Sequence, residues 1–431
     1  MKHTFLAAFA LGASALLLTA HAQSKVTCDA DNGGITLPQG FCALVVAEDV
    51  GVARHMAVAG NGDLYVATQT RGARGGPQTG GGVVALRDSN GDGKFDQREQ
   101  IGSGSTTGVG IRNGYLYLAQ PKTILRYKLA AGQLKPAGEP EVIVKDLLPD
   151  SPQHNDKGLT FDGKGSLYIN VGAPSNTCQN PDRRPGAKGQ DPCPILEAGQ
   201  GSAWKFDENK LGQTMQQGGT KFATGMRQFP AITWHDNGLY IVMNNRDQLD
   251  VFWPDLFKAE DNANRPAEPM YRATGGENFG WPYCFYDYLQ KKEVMNPEYG
   301  GDGKDVGKCA SFAQPVAVFP AHWAPVDVMF YTGTQFPKKY QGGAFIAFHG
   351  SWNRSPAPQD GYNVTFQPFA GAKPSGKYEI FADGFAGKTP LMRPNDAVAR
   401  ADGVAQAPDG SLYISDSEKG KIWRVIYRGA K

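Results

Sequence analysis

After Gln23 the sequence has no apolar run long enough to cross a bilayer. It has no Cys-x-x-Cys and no Cys-x-x-Cys-His, so neither a thioredoxin-type redox motif nor a c-type haem attachment site is present. It has no charge excess: 44 Lys and Arg stand against 42 Asp and Glu, without a basic block or stripe, and nucleic acid is not an expected partner. Long helical patterns are missing too. With 55 Gly and 29 Pro in 431 residues, the runs between turn formers are short, which favours strands and turns over long helices.

What is there begins with MKHTFLAAFALGASALLLTAHAQ. One Lys, an apolar run from Phe5 to Leu18 and the small-x-small triplet Ala20-His21-Ala22 predict a secretory leader over residues 1–22. The remainder, 23–431, is expected to be exported, periplasmic or secreted, with no membrane span. The six cysteines all follow the leader, and an even count in an oxidising compartment predicts disulfides. Pairing neighbours in sequence gives Cys28–Cys42, Cys178–Cys193 and Cys284–Cys309 as the simplest scheme, although spacing alone does not determine connectivity.

A repeat then emerges. MAVAGNGDLYVAT, VGIRNGYLYLAQ, LTFDGKGSLYINVG, ITWHDNGLYIVMN, VMFYTGTQFPKKYQGGAFIAFHG and VAQAPDGSLYISD begin at Met56, Val109, Leu159, Ile232, Val328 and Val404. Each is a strand, a Gly-containing turn and a second alternating strand; five carry Leu-Tyr straight after the turn, and the fifth repeat has Ala344-Phe345 instead. A third strand is expected after each, in GGVVALR, TILRYKL, GSAWKF, DQLDVFW, GYNVTFQPF and GKIWRVIY. Six such units predict an all-β, six-bladed β-propeller with four-stranded antiparallel blades around a central channel. The spare strand FCALVVAEDV, Phe41–Val50, is expected to close the ring by joining the last blade.

In a blade with strands A to D, counted outward from the channel, lead-ins to A and the B–C loops share one rim, while A–B and C–D turns share the other. The stretch DSNGDGKFDQRE, Asp88–Glu99, has the spacing of an EF-hand calcium loop, with Gly93 at its sixth position. Asp88, Asn90, Asp92, Asp96 and Glu99 would supply side chains and Lys94 a carbonyl. Lying between strands C and D of the first blade, it is expected on the far rim as a structural ion site.

The near rim gathers Arg54-His55, Thr106-Thr107, His154-Asn155, Arg227-Gln228, His322-Trp323, Arg400 and Asp402 from lead-ins, and Arg71, Arg74, Arg183, Arg184, Arg246-Asp247 and His349–Arg354 from B–C loops. Of the five histidines outside the leader, four are here; His235 is expected in an A–B turn. Converging arginines suit a planar polyanion, and a histidine beside them suits a general base.

HNDKGL at His154, GMRQ around Arg227, NNRDQLD from Asn244, ENFGWPYC from Glu277 and FHGSWNR from Phe348 resemble the glucose/sorbosone dehydrogenases that use pyrroloquinoline quinone (PQQ), over nearly the whole chain after the leader and nearer the sorbosone branch. The resemblance implies a sugar oxidised by hydride transfer to PQQ with His154 as base. It implies Arg227 at the quinone oxygen, Gln228 beside it, Arg400 on a cofactor carboxylate, and the carbonyls of Asn245 and Arg246 on a second calcium. Asp402 stands where the soluble glucose enzymes have a second arginine, and Arg354 is a candidate replacement for that cation. Electrons would leave to an external acceptor, a soluble carrier or quinone. Two other readings stay open: a calcium-dependent lactonase, and a non-enzymatic propeller binding a carbohydrate or protein, with Trp281, Trp323 and Trp352 as stacking residues.

Overall fold

The computed structural model describes residues 26–71 and 79–429; the expected leader and Arg74 lie outside them. Six antiparallel four-stranded sheets follow one another. Their innermost strands are Val52–Val58, Gly108–Arg112, Leu159–Phe161, Gln228–His235, Pro325–Phe330 and Ala401–Gln406. Together they form a six-bladed β-propeller. Phe41–Ala47 pairs with Ile422–Tyr427, setting Cys42 opposite Ile426, so the spare N-terminal strand closes the ring as expected.

The repeated Leu-Tyr pair has a physical reason. Neighbouring residues of a strand point to opposite faces, and each face of a blade packs on a different neighbour. Leu64 lies in the core between blades 6 and 1, while Tyr65 lies in the core between blades 1 and 2. Leu116 and Tyr117 split in the same way, one blade further on. Each pair thus joins two interblade cores, and burial of each such side chain stabilises by about 1.5–3 kcal/mol. The tyrosine hydroxyls are satisfied in passing: that of Tyr65 donates to the Leu134 carbonyl at 3.0 Å and that of Tyr117 to the Glu208 carbonyl at 3.1 Å. In blade 5, Ala344 and Phe345 fill the two cores on either side of that blade without needing an acceptor.

The third strand of blade 4 differs from expectation. DQLDVFW contains a helical turn, Leu249–Phe252, with Leu249 and Phe252 buried and Val251 half exposed. That burial follows an i, i+3 stripe, which is helical and not strand spacing. Strand C is instead Glu268–Ala273, pairing Val242 with Met270 and Leu239 with Ala273. Its Glu268 and Pro269 disguise it, because proline is rarely found in a central strand.

Blade 4 also changes the rim assignment. Its C–D connection does not stay on the far rim. It climbs along the outer strand of blade 3, where Thr224 bonds Glu277 and Phe279, and Gly225 bonds Trp281. It then forms a hairpin, Cys284–Asp287 with Lys292–Met295, against the B–C connection of the same blade, where Ala267 bonds Tyr286 and Arg265 pairs with Asp287. Glu293 in this hairpin is buried, with the Tyr271 hydroxyl 3.3 Å away, and burial pushes its carboxyl up to about 8. Between its ordinary value of 4.5 and about 8 the folded chain keeps a proton that the unfolded chain releases, so this group costs stability as pH rises through that window. Glu293→Gln is expected to melt above the parent at pH ~8 and level with it at pH ~4. Calorimetry at both pH values checks the sign.

All three disulfides join sequence neighbours: Cys28–Cys42, Cys178–Cys193 and Cys284–Cys309. Cys178–Cys193 staples the long B–C loop of blade 3, and Cys284–Cys309 closes the insertion of blade 4. No helix among the described residues is long and apolar enough to cross a membrane.

Candidate active site

The inner strands present their charges through bulges. In blades 1 and 6 the A–B register slips between Ala53 and Met56 and between Ala401 and Val404. A bulge re-aims the extra residues, here Arg54-His55 and Asp402-Gly403. Close approach is part of the design: a Cβ on Gly403 would lie 2.3 Å from the Arg54 carbonyl oxygen.

Two charged clusters stand at the near rim. In the first, Asp247 lies between two arginines, with its Oδ1 2.9 Å from Arg183 Nη1 and its Oδ2 2.9 Å from Arg227 Nη2. The second Arg227 nitrogen, Nη1, donates to the Asn245 carbonyl at 2.9 Å. Burial raises the Asp247 carboxyl, but the two guanidiniums outweigh it and hold the group well below the usual carboxylate range. Asn176 fastens Asp247 by reciprocal bonds, its Nδ2 donating to the Asp247 carbonyl and its Oδ1 accepting from the Asp247 amide. Trp281 Nε1 in turn donates to the Asn176 carbonyl at 2.8 Å.

His154 stands beside this triad, partly buried, with Nδ1 2.5 Å from the Ala173 carbonyl. A carbonyl only accepts, so Nδ1 carries the hydrogen and Nε2 keeps its lone pair. Burial, then repulsion from Arg227, lowers the imidazole to about 3, so it is neutral at ordinary pH. A Cβ on Gly172 would lie 2.3 Å from the His154 carbonyl oxygen and 2.8 Å from Gln228 Oε1, which brings Gln228 to the same spot. His154, Arg183, Gln248 and His322 all have left-handed backbone, with φ of 55°, 55°, 56° and 62°. Such strain persists where the surroundings hold it, commonly at functional sites.

The second cluster is Arg54, Asp402, His349 and Arg400. Arg54 Nη1 lies 2.8 Å from Asp402 Oδ2, and its Nη2 3.5 Å from Asp156. Burial pushes the Asp402 carboxyl up to about 6 against the pull of Arg54. Arg400 donates to the His349 and Gly350 carbonyls at 3.0 and 2.7 Å, with Glu418 at 3.4 Å.

Not every residue singled out in the sequence converges here. The Arg246 side chain is fully buried against Glu298 at 2.7 Å, so only its backbone is available to a ligand. Arg354 spends its guanidinium on the Pro358 and Ala263 carbonyls. Trp281 and Trp323 are core residues, 1% and 5% exposed, which removes them as stacking surfaces because their rings already pack on protein. His235, at the end of a strand A, stacks on Phe330. Asp247 was visible in NNRDQLD, yet nothing in the pattern marked it as the hub. Lys157 was not anticipated either. It is fully buried, donates to the Asn155 carbonyl at 2.8 Å, and is lowered to about 7 by burial.

In the Asp88–Glu99 loop, Asp88 accepts from the amides of Gly91 and Gly93, Asn90 from Asp92, and Asp92 from Lys94. Asp96 turns to Ser89, and Glu99 faces Lys135 at 3.5 Å. Among the described residues no three His, Cys, Asp or Glu side chains are close enough to form a metal centre by themselves.

A curated relative in Borreliella burgdorferi, an uncharacterized protein, is 36% identical over 210 residues, 48% of each chain. A pyrroloquinoline quinone-dependent pyranose dehydrogenase of Coprinopsis cinerea is 26% identical over 259 residues, 51% of this chain. The chain thus spans about half the length of the first relative and 34% of the second. The solved holo PQQ domain of a Coprinopsis cinerea pyranose dehydrogenase aligns with TM-score 0.69 at 17% identity, covering 91% of this chain and 97% of that one. A calcium structure of a Trichoderma reesei family AA12 carbohydrate-active enzyme aligns with TM-score 0.70 at 17% identity, covering 94% and 98%. At such identities the structures speak to the fold. The TrAA12-like family model matches residues 35–428, and the chain belongs to that family.

Proposed function

We propose that this chain is a PQQ-dependent sugar dehydrogenase with His154 as general base. The observation that carries the reading is an imidazole bonded through Nδ1, its Nε2 lone pair free, beside the Arg183–Asp247–Arg227 cluster. Family membership and the named relatives support an oxidoreductase of this class. The residues fit a planar polycarboxylate quinone: Arg227 Nε and Arg54 Nε are buried donors without a protein partner, and buried polar groups are costly when unpaired.

PQQ, when bound, supplies the hydride acceptor. Arg227 and Arg183, held by Asp247, would bind and orient its anionic groups, with Gln228 alongside and Arg400 at the second cluster. His154 Nε2 would take the proton from the sugar hydroxyl. Arg227 and Arg183 both lower the imidazole; an anionic ligand offsets that repulsion and returns the base toward its ordinary range. Asp402 belongs with Arg54 in this reading, and Arg354 with the loop that carries it.

Calcium would be held at two places. The Asn245 and Arg246 carbonyls would hold the ion at the cofactor and supply Lewis-acid polarisation there. The Asp88–Glu99 loop is the structural place. Asp92→Ala is expected to lower the melting temperature in calcium, to lose that difference in chelator, and to leave turnover of the folded fraction nearly unchanged. A large loss of turnover at an unaltered melting point would contradict it.

Reconstitution with PQQ and calcium tests the whole reading. The expected results are a changed PQQ absorption spectrum and sugar-dependent bleaching of an acceptor dye. Absence of PQQ binding at micromolar concentration refutes the assignment.

A further inference from the structure

We propose that Trp352 is a stacking platform for a sugar ring linked to the ring being oxidised, an inference that rests on the proposed function. Among the described large apolar side chains left exposed, Trp352, at 53%, is the aromatic one. Its neighbours are pinned on every side. Ser351 Oγ donates to the His322 carbonyl at 3.0 Å, and Asn262 Nδ2 donates to the Asn353 carbonyl at 2.7 Å. Arg354 reaches the Ala263 carbonyl at 2.6 Å, and Arg400 holds the Gly350 carbonyl at 2.7 Å. The backbone under the indole is therefore fixed before any ligand arrives, so binding pays little ordering cost.

The surroundings select the ligand class. Asn353 and Ser355 bring a neutral amide and a neutral hydroxyl, and the adjacent cation, Arg354, is spent on carbonyls. An exposed indole offers an apolar face with a polar edge. A neutral pyranose, with one C–H face and a rim of hydroxyls, matches both; a polyanion does not.

Placement selects the ring. The loop joins strands Ala344–Phe348 and Asn363–Gln367 of blade 5, on the rim that carries His154 from blade 3. Arg227 and Gln228, leading into blade 4, stand between the two. A second ring linked to one seated at His154, on its blade 5 side, would lie toward Trp352, whose loop is tied to the His322 carbonyl through Ser351 Oγ.

Trp352→Ala is a surface change and should leave the melting temperature unaltered. With glucose, cellobiose and cellotriose as probes, the variant is expected to raise KM for cellobiose and cellotriose about tenfold, equivalent to about 1.4 kcal/mol. Turnover number and the glucose KM should stay unchanged, and Trp352→Phe should restore most of the loss. Equal effects on all three sugars, no effect, or an effect confined to the electron acceptor KM overturns the platform, the last result marking an acceptor-docking face instead. A cofactor-free arm separates this inference from the proposed function. Saturable fluorescence quenching by cellotriose that Trp352→Ala abolishes keeps the platform even if the parent oxidises no sugar. Oxidation without any chain-length dependence keeps the dehydrogenase and removes the platform.

Discussion

His154→Ala is expected to lower turnover by roughly 10²–10⁴-fold, the usual worth of a positioned base, while PQQ affinity changes little. The clamps remain in the variant, because Arg183 and Arg227 are ordered by Asp247 and not by the imidazole. Of the four rim histidines, His55 and His322 are buried and His349 sits in the second cluster, which leaves His154 beside the Arg183–Asp247–Arg227 triad. His55 Nε2 lies 2.8 Å from the Val326 carbonyl, His322 Nε2 2.7 Å from the Asn262 carbonyl, and His349 Nε2 2.7 Å from Ser417 Oγ. His154 is bonded through Nδ1, which leaves its Nε2 as a free acceptor. Stopped-flow reduction of bound PQQ by sugar isolates the proton-abstracting half of the cycle and is the measurement to make. Wild-type rates in the variant would remove His154 as base and transfer the role to His349 or His322. The imidazole resonance adds a second check: its pKa should rise on PQQ binding as the cofactor's carboxylates offset Arg227 and Arg183.

The architecture was legible because a propeller writes itself repeatedly. Leu-Tyr after a turn needs one residue for each of two interblade cores, and the same demand recurs in every blade. The closing strand was legible as the one strand without a hairpin partner of its own. Blade 4 broke the pattern for two physical reasons. Strand C there carries Glu268, whose carboxylate accepts from the Asn245 and Ala324 amides instead of pointing to water, so its sequence does not look like a strand. The insertion that follows climbs back to the near rim through backbone bonds to Thr224 and Gly225, which no side-chain pattern announces. The rim residues were legible as types in lead-ins and loops, but their pairing was not. Charge in a sequence does not say whether an arginine faces a ligand or, like Arg246, a buried glutamate.

That last case makes the second prediction. Glu298→Ala is expected to destabilise the protein by about 3–5 kcal/mol, the cost of leaving one buried charge without its partner. Arg246 and Glu298 side chains are both fully buried, 2.7 Å apart, and Asn296 Oδ1 adds a bond to Arg246 Nη1 at 3.0 Å. The pair fastens the insertion of blade 4 to its B–C loop. Tyr299, the next residue, donates to the Thr177 carbonyl at 3.0 Å, and Gly189 bonds the Glu298 carbonyl. The disulfide-stapled loop of blade 3, the NNRDQLD loop and the insertion are thereby locked together, with Asp247 where they meet. Losing Glu298 should therefore cost activity as well as stability, because Asp247 loses the frame that sets Arg227 and Arg183. Denaturant melts of Arg246→Met, Glu298→Leu and the double variant test this. A buried ion pair replaced whole by apolar side chains is often neutral or better, so the double variant should recover most of the stability lost by either single change. If the losses simply add, the pair is not the lock. If Glu298→Ala melts within about 1 kcal/mol of the parent, the carboxylate is not buried against Arg246 in solution.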